Sequence, residues 1–327
     1  MNNLRRIGVY TSGGDAPGMN AAIRAVVRTA IFNNIKVTGI FRGYEGMIEG
    51  DFTEMVSRSV SSIIQKGGTI LKSARCPEFR TPEGRRKAYE NVRHAGIDAL
   101  VAIGGDGTFT GAELFSQEFG IPVMCIPGTI DNDLYGSDYT LGFDTANNTV
   151  IDAIDKIKDT AASHNRLFFV EVMGRDSGCI ALNAGVAGGA EAIMLPEKDT
   201  AIDELIDLLA VAKDRNKTSM IVIIAEGDKN GGAYNVAKRV NEKFDFYDTK
   251  VSILGHLQRG GSPSSFDRVL ATRMGYFAVN ELIKGNKSAT VGIRGSEIVA
   301  TSLEEALRSK ELKLDEELVT ISRVMNI

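Results

Sequence analysis

The sequence has little material for a disulfide framework or a zinc site. Its three cysteines, Cys76, Cys125 and Cys179, are odd in number, far apart and without a C-x-x-C pair, whereas both kinds of site need paired or closely spaced cysteines. The chain also lacks an apolar run approaching the roughly 18–20 residues that cross a bilayer, and its first apolar segment ends in a glycine-rich turn at Gly13. We therefore expect a cytoplasmic protein without a membrane association.

A surplus of positive charge is absent as well. Lys and Arg number 38 against 42 Asp and Glu, which gives a net charge of -4 at pH 7 and argues against an extended nucleic-acid-binding surface. A phosphate ligand would therefore need cations concentrated locally. Glycine, in contrast, is abundant, with 35 of 327 residues against about 7% in average proteins. This length is typical of two domains.

Short apolar segments alternate with amphipathic segments along most of the chain. The strand-like segments are residues 7–10, 99–103, 122–126, 167–172, 192–195, 220–225 and 251–254, and the helix-like segments are residues 21–32, 83–95, 147–160, 202–213 and 266–283. This alternation predicts an α/β fold with mainly parallel sheets covered on both faces. No repeat, low-complexity tract or Pro- or Ser-rich linker marks a domain boundary.

Two glycine-rich turns follow predicted strands, at the sheet edge where ligands usually bind. The turns around Gly13 and Gly14 and around residues 104–107 place glycines before a helix, where backbone N–H groups can approach a polyphosphate. Each turn taken alone is better explained as a tight connection without a ligand, but two such turns with acidic residues inside them shift the balance towards a ligand. Neither a G-x-x-x-x-G-K-[ST] loop nor a G-x-G-x-x-G fingerprint occurs, so an NAD site loses its main support.

Acidic residues follow two of the strands. Asp106 lies inside the second glycine turn, where a carboxylate beside a polyphosphate requires a divalent cation such as Mg²⁺; capping of a helix that begins near Thr108 is an equal alternative. Asp131 and Asp133 follow a buried strand, and a positioned carboxylate can act as the general base for an alcohol nucleophile. An Asx turn is the alternative for this pair.

Cations also follow several strands, and guanidinium groups bind phosphate with two parallel hydrogen bonds whereas lysine acts as a point charge. These cations are Arg166, Arg175, Lys250, His256 and Arg259, each of which taken singly is more often a solvated surface residue. Arg24 and Arg28 share one face of the predicted first helix and repel each other by about 0.2–0.5 kcal/mol. This pair points into water or binds an anion.

Taken together, these motifs resemble the ATP-dependent 6-phosphofructokinase family in its short bacterial form. The matching strings stand in the family's order and cover nearly the whole chain: TSGGDAPGMNAAIR (11–24), GGT (67–69), SARCPEFR (73–80), IGGDGT (103–108), PGTIDND (127–133), SHNR (163–166), EVMGR (171–175), AGGAE (187–191) and GHLQRGGSP (255–263).

The resemblance implies two doubly wound, mainly parallel-sheet domains with the active site in the cleft between them. The larger, ATP-binding domain would comprise residues 1–141 plus 257–306, and the smaller, fructose 6-phosphate-binding domain residues 142–256 plus 307–327. The family is typically a homotetramer whose active site is shared between subunits.

The implied reaction is transfer of the ATP γ-phosphoryl group to the 1-hydroxyl of fructose 6-phosphate in glycolysis, with Mg²⁺. By resemblance Asp131 is the base, Asp106 serves Mg²⁺, and Thr129 and Arg175 support the reacting phosphoryl group. The other nucleotide-site positions are Gly14, Arg75, Cys76, Gly105, Gly107 and Thr108. The sugar-phosphate positions are Thr129, Asp131, Asp133, Arg166, Met173, Gly174, Arg175, Glu226, Lys250, His256 and Arg259, of which Arg166 and Lys250 reach in from a neighbouring subunit.

An effector pocket for ADP or phosphoenolpyruvate is also implied by the resemblance. It maps onto Arg24, Arg28, Arg58, Lys158, Glu191, Arg215, Lys217 and Ser219. Three positions depart from the family pattern: Lys158 replaces an Arg, Ser62 an Asp, and Ser219 a His found in some members. At the active site Lys250 stands where an Arg is usual, and a point charge cannot reproduce a bidentate grip.

The phosphoryl donor is predicted from two glycines. In pyrophosphate-using relatives the GGDG turn commonly becomes GGDD and PGTID becomes PKTID, whereas Gly107 and Gly128 are expected to leave both positions open here, which favours ATP. Two alternatives remain: a pyrophosphate-dependent or relaxed-specificity sugar-phosphate kinase, given Lys250, and a catalytically silent, metabolite-binding regulatory relative. The second is disfavoured because the expected catalytic residues are all present.

Overall fold

The structure, a computed structural model, describes residues 4–161, 166–309 and 314–325. The strands of this part are, in chain order, β1 (Arg6–Thr11), β2 (Lys36–Ile40), β3 (Phe52–Met55), β4 (Ala99–Gly104), β5 (Val123–Pro127), β6 (Arg166–Val172), β7 (Ala192–Met194), β8 (Ser219–Ala225), β9 (Asp248–Ile253), β10 (Ser288–Arg294) and β11 (Glu297–Ser302). The helices are α1 (Met19–Phe32), α2 (Tyr44–Glu49), α3 (Pro82–His94), α4 (Asp106–Phe119), α5 (Phe143–Ala161), α6 (Cys179–Ala187), α7 (Ile202–Asp214), α8 (Gly232–Asn241), α9 (Ser265–Lys284), α10 (Leu303–Arg308) and α11 (Glu316–Met325).

The chain divides into two compact units. Unit 1 contains the described residues of Met1–Ile130, Leu134–Thr145 and Arg259–Glu311, and unit 2 those of Asp131–Asp133, Ala146–Gln258 and Leu312–Ile327. Which ligand each unit binds is not decided by this division, so the two predicted ligand-binding domains stay a prediction.

Unit 1 is built on a seven-stranded sheet with the order β11-β10-β5-β4-β1-β2-β3. Its strands are parallel except for the edge strands β3 and β11. From β1 the chain continues to β2 on one side and later to β4 on the other, so the strand order reverses between β1 and β4. In open α/β sheets the crevice at such a reversal is where ligands bind.

Helices cover the central strands of unit 1 because these strands are apolar on both faces. Every residue of β4 is buried, which requires cover on each side of the sheet. The pair α1 and α9 packs closely at Gly275, where an added Cβ would lie 2.7 Å from the Cβ of Ala25. A second cluster, which includes Tyr44, Phe79 and Phe115, packs α2, α3 and α4 against the sheet.

Unit 2 is built on a parallel four-stranded sheet with the order β7-β8-β6-β9. From β6 the chain goes to β7 and β8 on one side and to β9 on the other, so this sheet reverses between β6 and β9. A core cluster that includes Phe169, Leu205 and Val236 joins β6, α7 and α8. The reversal point therefore places the carboxyl ends of β6 and β9 next to each other.

The predicted fold class is confirmed, and each predicted strand and helix exists with shifts of a few residues at its ends. The strands β2, β3, β10 and β11 were missing from the prediction. They include the antiparallel edges, which are short and partly exposed and so lack the continuous apolar runs of the central strands. In the described part of the chain, no helix is long and apolar enough to cross a bilayer.

Candidate functional site

The two glycine turns predicted from the sequence lie side by side in unit 1, at the carboxyl ends of β1 and β4. The amide of Ser12 donates to the carbonyl of Ile103 at 3.0 Å, and the hydroxyl of Thr108 donates to the carbonyl of Ser12 at 3.2 Å. A third segment joins them through a hydrogen bond from the Ser73 hydroxyl to the Gly13 carbonyl. Gly13 has φ +83°, a conformation that favours glycine.

Asp106 is the exposed first residue of α4. The helix begins at Asp106 itself and its N-cap residue is Gly105, so the alternative in which Asp106 caps a helix starting near Thr108 is not realised. Among the described residues, no group of three or more His, Cys, Asp or Glu side chains could hold a metal ion. A cation here would depend on Asp106 and on ligand phosphates, which fits Mg²⁺ better than a metal that needs an all-protein cage.

A buried tyrosine pair supports the second glycine turn from behind. The hydroxyl of Tyr10 donates to that of Tyr44 at 3.1 Å, and Tyr44 donates to the carbonyl of Thr108 at 2.5 Å. The Tyr44 ring stacks on Phe79 with centroids 3.8 Å apart. Burial raises the pKa of both tyrosines well above the usual value, so they remain donors. Sequence reasoning missed Tyr44, because its partner lies 64 residues away.

Arg259 lies against the first glycine turn. A Cβ added to Gly14 would be 2.8 Å from Nη1 of Arg259, and the same nitrogen donates to the carbonyl of Asp15 at 3.3 Å. Arg259 was predicted for the sugar phosphate and Gly14 for the nucleotide. Two further predicted nucleotide positions of unit 1 are Arg75, which is exposed, and Cys76, which is half-buried. Burial raises the pKa of the Cys76 thiol, which keeps it protonated and poorly nucleophilic.

The two glycines used to predict the donor differ in their surroundings. A Cβ at Gly107 would meet nothing within 4 Å, so this position is open as expected. The expectation for Gly128 is wrong: its Cβ would lie 2.9 Å from the methyl group of Met19 and 3.1 Å from Ile103. The space that a side chain at Gly128 would occupy is filled by Met19 and Ile103. Only Gly107 therefore supports the argument that ATP is the donor.

In unit 2, Asp131 is 1% exposed and is the most deeply buried of the predicted catalytic residues. Its Oδ2 lies 3.5 Å from Nε of Arg175, whose side chain is 61% exposed. Thr129 belongs to unit 1, is buried after β5, and accepts a hydrogen bond on its carbonyl from Thr140 at 2.6 Å.

The turn that carries Arg175 is held by Glu226. One carboxylate oxygen of Glu226 accepts from the amides of Gly174 at 3.2 Å and Arg175 at 2.8 Å. Arg175 has φ +53°, a strained conformation for a residue with a side chain. Gly227 allows the close approach, because an added Cβ would lie 2.0 Å from the Arg175 carbonyl. Glu226, predicted to contact the sugar phosphate, therefore also orients Arg175.

Gln258, which follows β9 in the chain, holds the same turn. It was not among the predicted site residues. It is completely buried, accepts from the amide of Met173 at 3.2 Å and donates to the carbonyl of Gly255 at 3.0 Å. His256, two residues earlier, is exposed. The sequence signal was available in the string GHLQRGGSP, but Gln258 pairs with a residue 85 positions away.

The predicted cations Arg166 and Lys250 share one carboxylate, that of Asp248. Nζ of Lys250 lies 2.7 Å from Oδ1 of Asp248, and Nε of Arg166 lies 3.4 Å from Oδ2. Lys250, and then Arg166, hold the pKa of Asp248 below its usual value. Sequence reasoning missed Asp248. The first three residues of the SHNR string, 163–165, lie outside the described residues.

Four predicted effector residues line one cavity of about 620 Å³ in unit 2: Lys158, Glu191, Lys217 and Ser219. Nζ of Lys217 lies 3.5 Å from Oε1 of Glu191, and Oε2 of Glu191 accepts from the amide of Ile221 at 2.7 Å. Arg215 is exposed and directly precedes Asn216, which lines the cavity, but Arg215 itself is not part of the lining.

The remaining predicted effector residues, Arg24, Arg28 and Arg58, belong to unit 1. Arg24 is half-buried and Arg28 is exposed on the same helix. Burial, and next the charge of Arg28, lower the pKa of Arg24. Arg58 is exposed.

Comparison with known proteins gives matches over most or all of the chain. The family model described as "Phosphofructokinase" matches residues 6–282. The chain is 53% identical over 328 residues to a curated protein of Bacteroides thetaiotaomicron named ATP-dependent 6-phosphofructokinase 2, with 100% of both chains covered. It is 52% identical to ATP-dependent 6-phosphofructokinase 1 of Thermus thermophilus, with 98% of this chain and 99% of the relative covered.

Solved structures give the same fold. Phosphofructokinase from Saccharomyces cerevisiae matches with a TM-score of 0.90 and 36% identity over 99% of this chain, which spans 48% of the yeast chain. A pyrophosphate-dependent phosphofructokinase from Marinobacter aquaeolei matches with a TM-score of 0.84 over 98% of this chain and 91% of that one. At 21% identity, the second match shows a shared fold alone.

Proposed function

This chain belongs to the phosphofructokinase family, and from that premise we propose that it is an ATP-dependent 6-phosphofructokinase, which phosphorylates the 1-hydroxyl of fructose 6-phosphate. The observation that carries the proposal is the 52–53% identity, over essentially the full length, to relatives with that name. The products are fructose 1,6-bisphosphate and ADP, and the reaction belongs to glycolysis.

Asp131 is proposed as the base that accepts the proton of the attacking hydroxyl. Its burial and the contact with the guanidinium of Arg175 at 3.5 Å support a carboxylate held in a fixed position, which a general base requires. Arg175, oriented by Glu226 through the backbone, is proposed to neutralise charge on the transferring phosphoryl group. Met173 and Gly174, in the same turn, and His256 are proposed to contact the sugar phosphate, as are Asp133 and Thr129.

The nucleotide is proposed to bind to unit 1, at the joined glycine turns after β1 and β4. The amides of Gly14, Gly105 and Gly107, together with Thr108, would cradle the phosphates, and Arg75 and Cys76 would contact the rest of the nucleotide. Asp106 would hold Mg²⁺ through one carboxylate, with the other ligands supplied by phosphate oxygens and water. When bound, Mg²⁺ neutralises charge on the phosphates.

A panel of donors and acceptors tests this function. Purified protein should phosphorylate fructose 6-phosphate with ATP and Mg²⁺, and the turnover with pyrophosphate should be at least tenfold lower. Asp131→Asn, which keeps the shape of the side chain, should lower kcat by roughly 10²–10⁴-fold. Faster turnover with pyrophosphate would establish the pyrophosphate-dependent alternative. A lack of turnover with either donor, in protein that binds fructose 6-phosphate, would indicate a silent regulatory relative.

We also propose that the cavity lined by Lys158, Glu191, Lys217 and Ser219 binds an anionic effector, ADP or phosphoenolpyruvate. Two lysines at the cavity support phosphate binding, and the carboxylate of Glu191 limits their net charge. Each compound should be titrated at subsaturating fructose 6-phosphate. A shift in half-saturation is expected, and no shift with either compound contradicts the effector site.

The assembly and the location are proposals of the same kind. A homotetramer with Arg166 and Lys250 contributed to a neighbouring subunit's active site, and a cytoplasmic location, are typical of the family. Light scattering on purified protein gives the subunit number. Mixing Lys250→Met protein with Asp131→Asn protein under conditions of subunit exchange should restore part of the turnover if sites are shared, and no recovery would contradict sharing.

A further inference from the structure

We propose that Asp248 competes with the acceptor's phosphate group for Arg166 and Lys250, and so weakens the binding of the sugar phosphate. The inference rests on the proposed function, because it assigns those two cations to the acceptor phosphate. It gives a residue outside the predicted site a defined effect on the acceptor KM.

The first observation is geometric. Arg166 and Asp248 are directly paired residues of the neighbouring strands β6 and β9. Asp248 and Lys250 are two positions apart on β9, so their side chains lie on the same face of the sheet. The two oxygens of one carboxylate are divided between the two cations, at 2.7 Å and 3.4 Å.

The second observation is that the cluster remains open to a ligand. The side chains of Asp248 and Lys250 are 52% and 45% exposed, and that of Arg166 is 24% exposed. In the described part of the chain β9 is an edge strand, with β6 on one side and no strand of its own sheet on the other. An incoming phosphate can therefore reach the same N–H donors that the carboxylate uses.

The third step is charge. Two cations and one carboxylate leave a net charge of +1 for a sugar phosphate that carries up to two negative charges. The pKa of Asp248 is lowered chiefly by its hydrogen bond to Lys250, so the carboxylate stays ionised at neutral pH and the neutralisation persists. The lysine ammonium is a single point charge without the planar fork of arginine. Its contact with Asp248 therefore offsets a large part of the charge with which Lys250 could attract a phosphate.

Kinetics of Asp248→Asn test the proposal. The amide keeps the shape and removes the negative charge, so we expect KM for fructose 6-phosphate to fall three- to tenfold while kcat and KM for ATP change less than twofold. The reduction should shrink as ionic strength rises, since exposed charges are screened. Asp248→Glu keeps the charge and should leave KM within twofold of the original.

Asp245→Asn is the matched control. Asp245 lies three positions before Asp248 and is exposed, so it makes the same change in net charge without releasing either cation. It should leave every parameter unchanged. An equal fall in KM for Asp245→Asn and Asp248→Asn would overturn the proposal, because the effect would then come from net charge alone. An unchanged or raised KM for Asp248→Asn would also overturn it, because Asp248 would then be without effect or would orient the cations for binding.

Equilibrium binding of fructose 6-phosphate by calorimetry separates this proposal from the proposed function. If the unaltered protein binds fructose 6-phosphate without turning it over, the kinase function fails, and tighter binding by Asp248→Asn still supports the competition. Protein that turns over but shows no tightening retains the function and loses the competition. Protein that neither binds nor turns over fructose 6-phosphate overturns both. Thermal unfolding of each variant shows whether it is folded before its affinity is compared.

Discussion

Gly107→Asp should separate the stability of the protein from its use of ATP. Gly107 is the exposed second residue of α4, and an added Cβ would meet nothing within 4 Å. Aspartate is a better helix former than glycine by a few tenths of a kcal/mol, and an acidic residue in the first turn gains about 0.3–1 kcal/mol from the helix dipole. The free energy of unfolding should therefore stay the same or rise.

ATP binding should weaken in the same variant, because the new carboxylate faces the phosphates that the glycine turns are proposed to cradle. Two unit charges about 6 Å apart repel by about 0.7 kcal/mol in water and about 2.8 kcal/mol at an effective dielectric constant near 20. These energies correspond to roughly three- and hundredfold changes in affinity. We expect KM for ATP to rise within this range, with KM for fructose 6-phosphate changed less than twofold.

Gly107→Asn is the control for side-chain size, since it adds nearly the same atoms without the charge. The ratio of the two variants' KM values for ATP isolates the electrostatic part and should fall at higher ionic strength. Initial-rate kinetics with varied ATP and a thermal unfolding curve for each protein suffice. If Gly107→Asp leaves the ATP kinetics unchanged, the phosphates do not pass this position and the donor argument from Gly107 is wrong.

Two further substitutions test the supports behind the site. Tyr44→Phe keeps the ring on Phe79 but removes the hydrogen bonds that the Tyr44 hydroxyl makes with the Tyr10 hydroxyl and the Thr108 carbonyl. The free energy of unfolding should therefore fall by about 1–3 kcal/mol, and KM for ATP should rise more than KM for the acceptor. Gln258→Ala, which frees the amide of Met173, should lower stability by a similar amount and raise the acceptor KM instead. Denaturant titration and two-substrate kinetics measure both; equal changes in the two KM values would contradict the assigned supports.

The central strands and the turns after them could be predicted because their signals are local. Residues of β4 are buried on both faces and form an uninterrupted apolar run, and a run of that kind is readable without knowledge of its neighbours. The glycines of the two turns stand directly after β1 and β4, so their place at the ligand edge follows from strand direction. The same reasoning located Asp131 and Arg175 at strand ends.

What the local pattern could not supply is the direction and the partner of each side chain. Gly107 lies in a turn after β4 and Gly128 directly follows β5, yet a side chain added to Gly128 would meet Met19 whereas one added to Gly107 would meet open space. Asp106 is the first residue of α4 and Gly105 is the N-cap residue, so the capping alternative for Asp106 is not realised. These outcomes depend on backbone geometry that residue types alone leave undetermined.

By itself, the sequence determined the α/β alternation, the polar strand ends and the family, since these depend on residues close together in the chain or on strings of them. Only the tertiary structure decided that Tyr44 supports Thr108, that Gln258 holds Met173 and that Asp248 joins Arg166 to Lys250. The physical reason is the strand order: β4 lies beside β1 and β9 beside β6, so residues far apart in the chain meet, such as Met173 and Gln258, which are 85 positions apart.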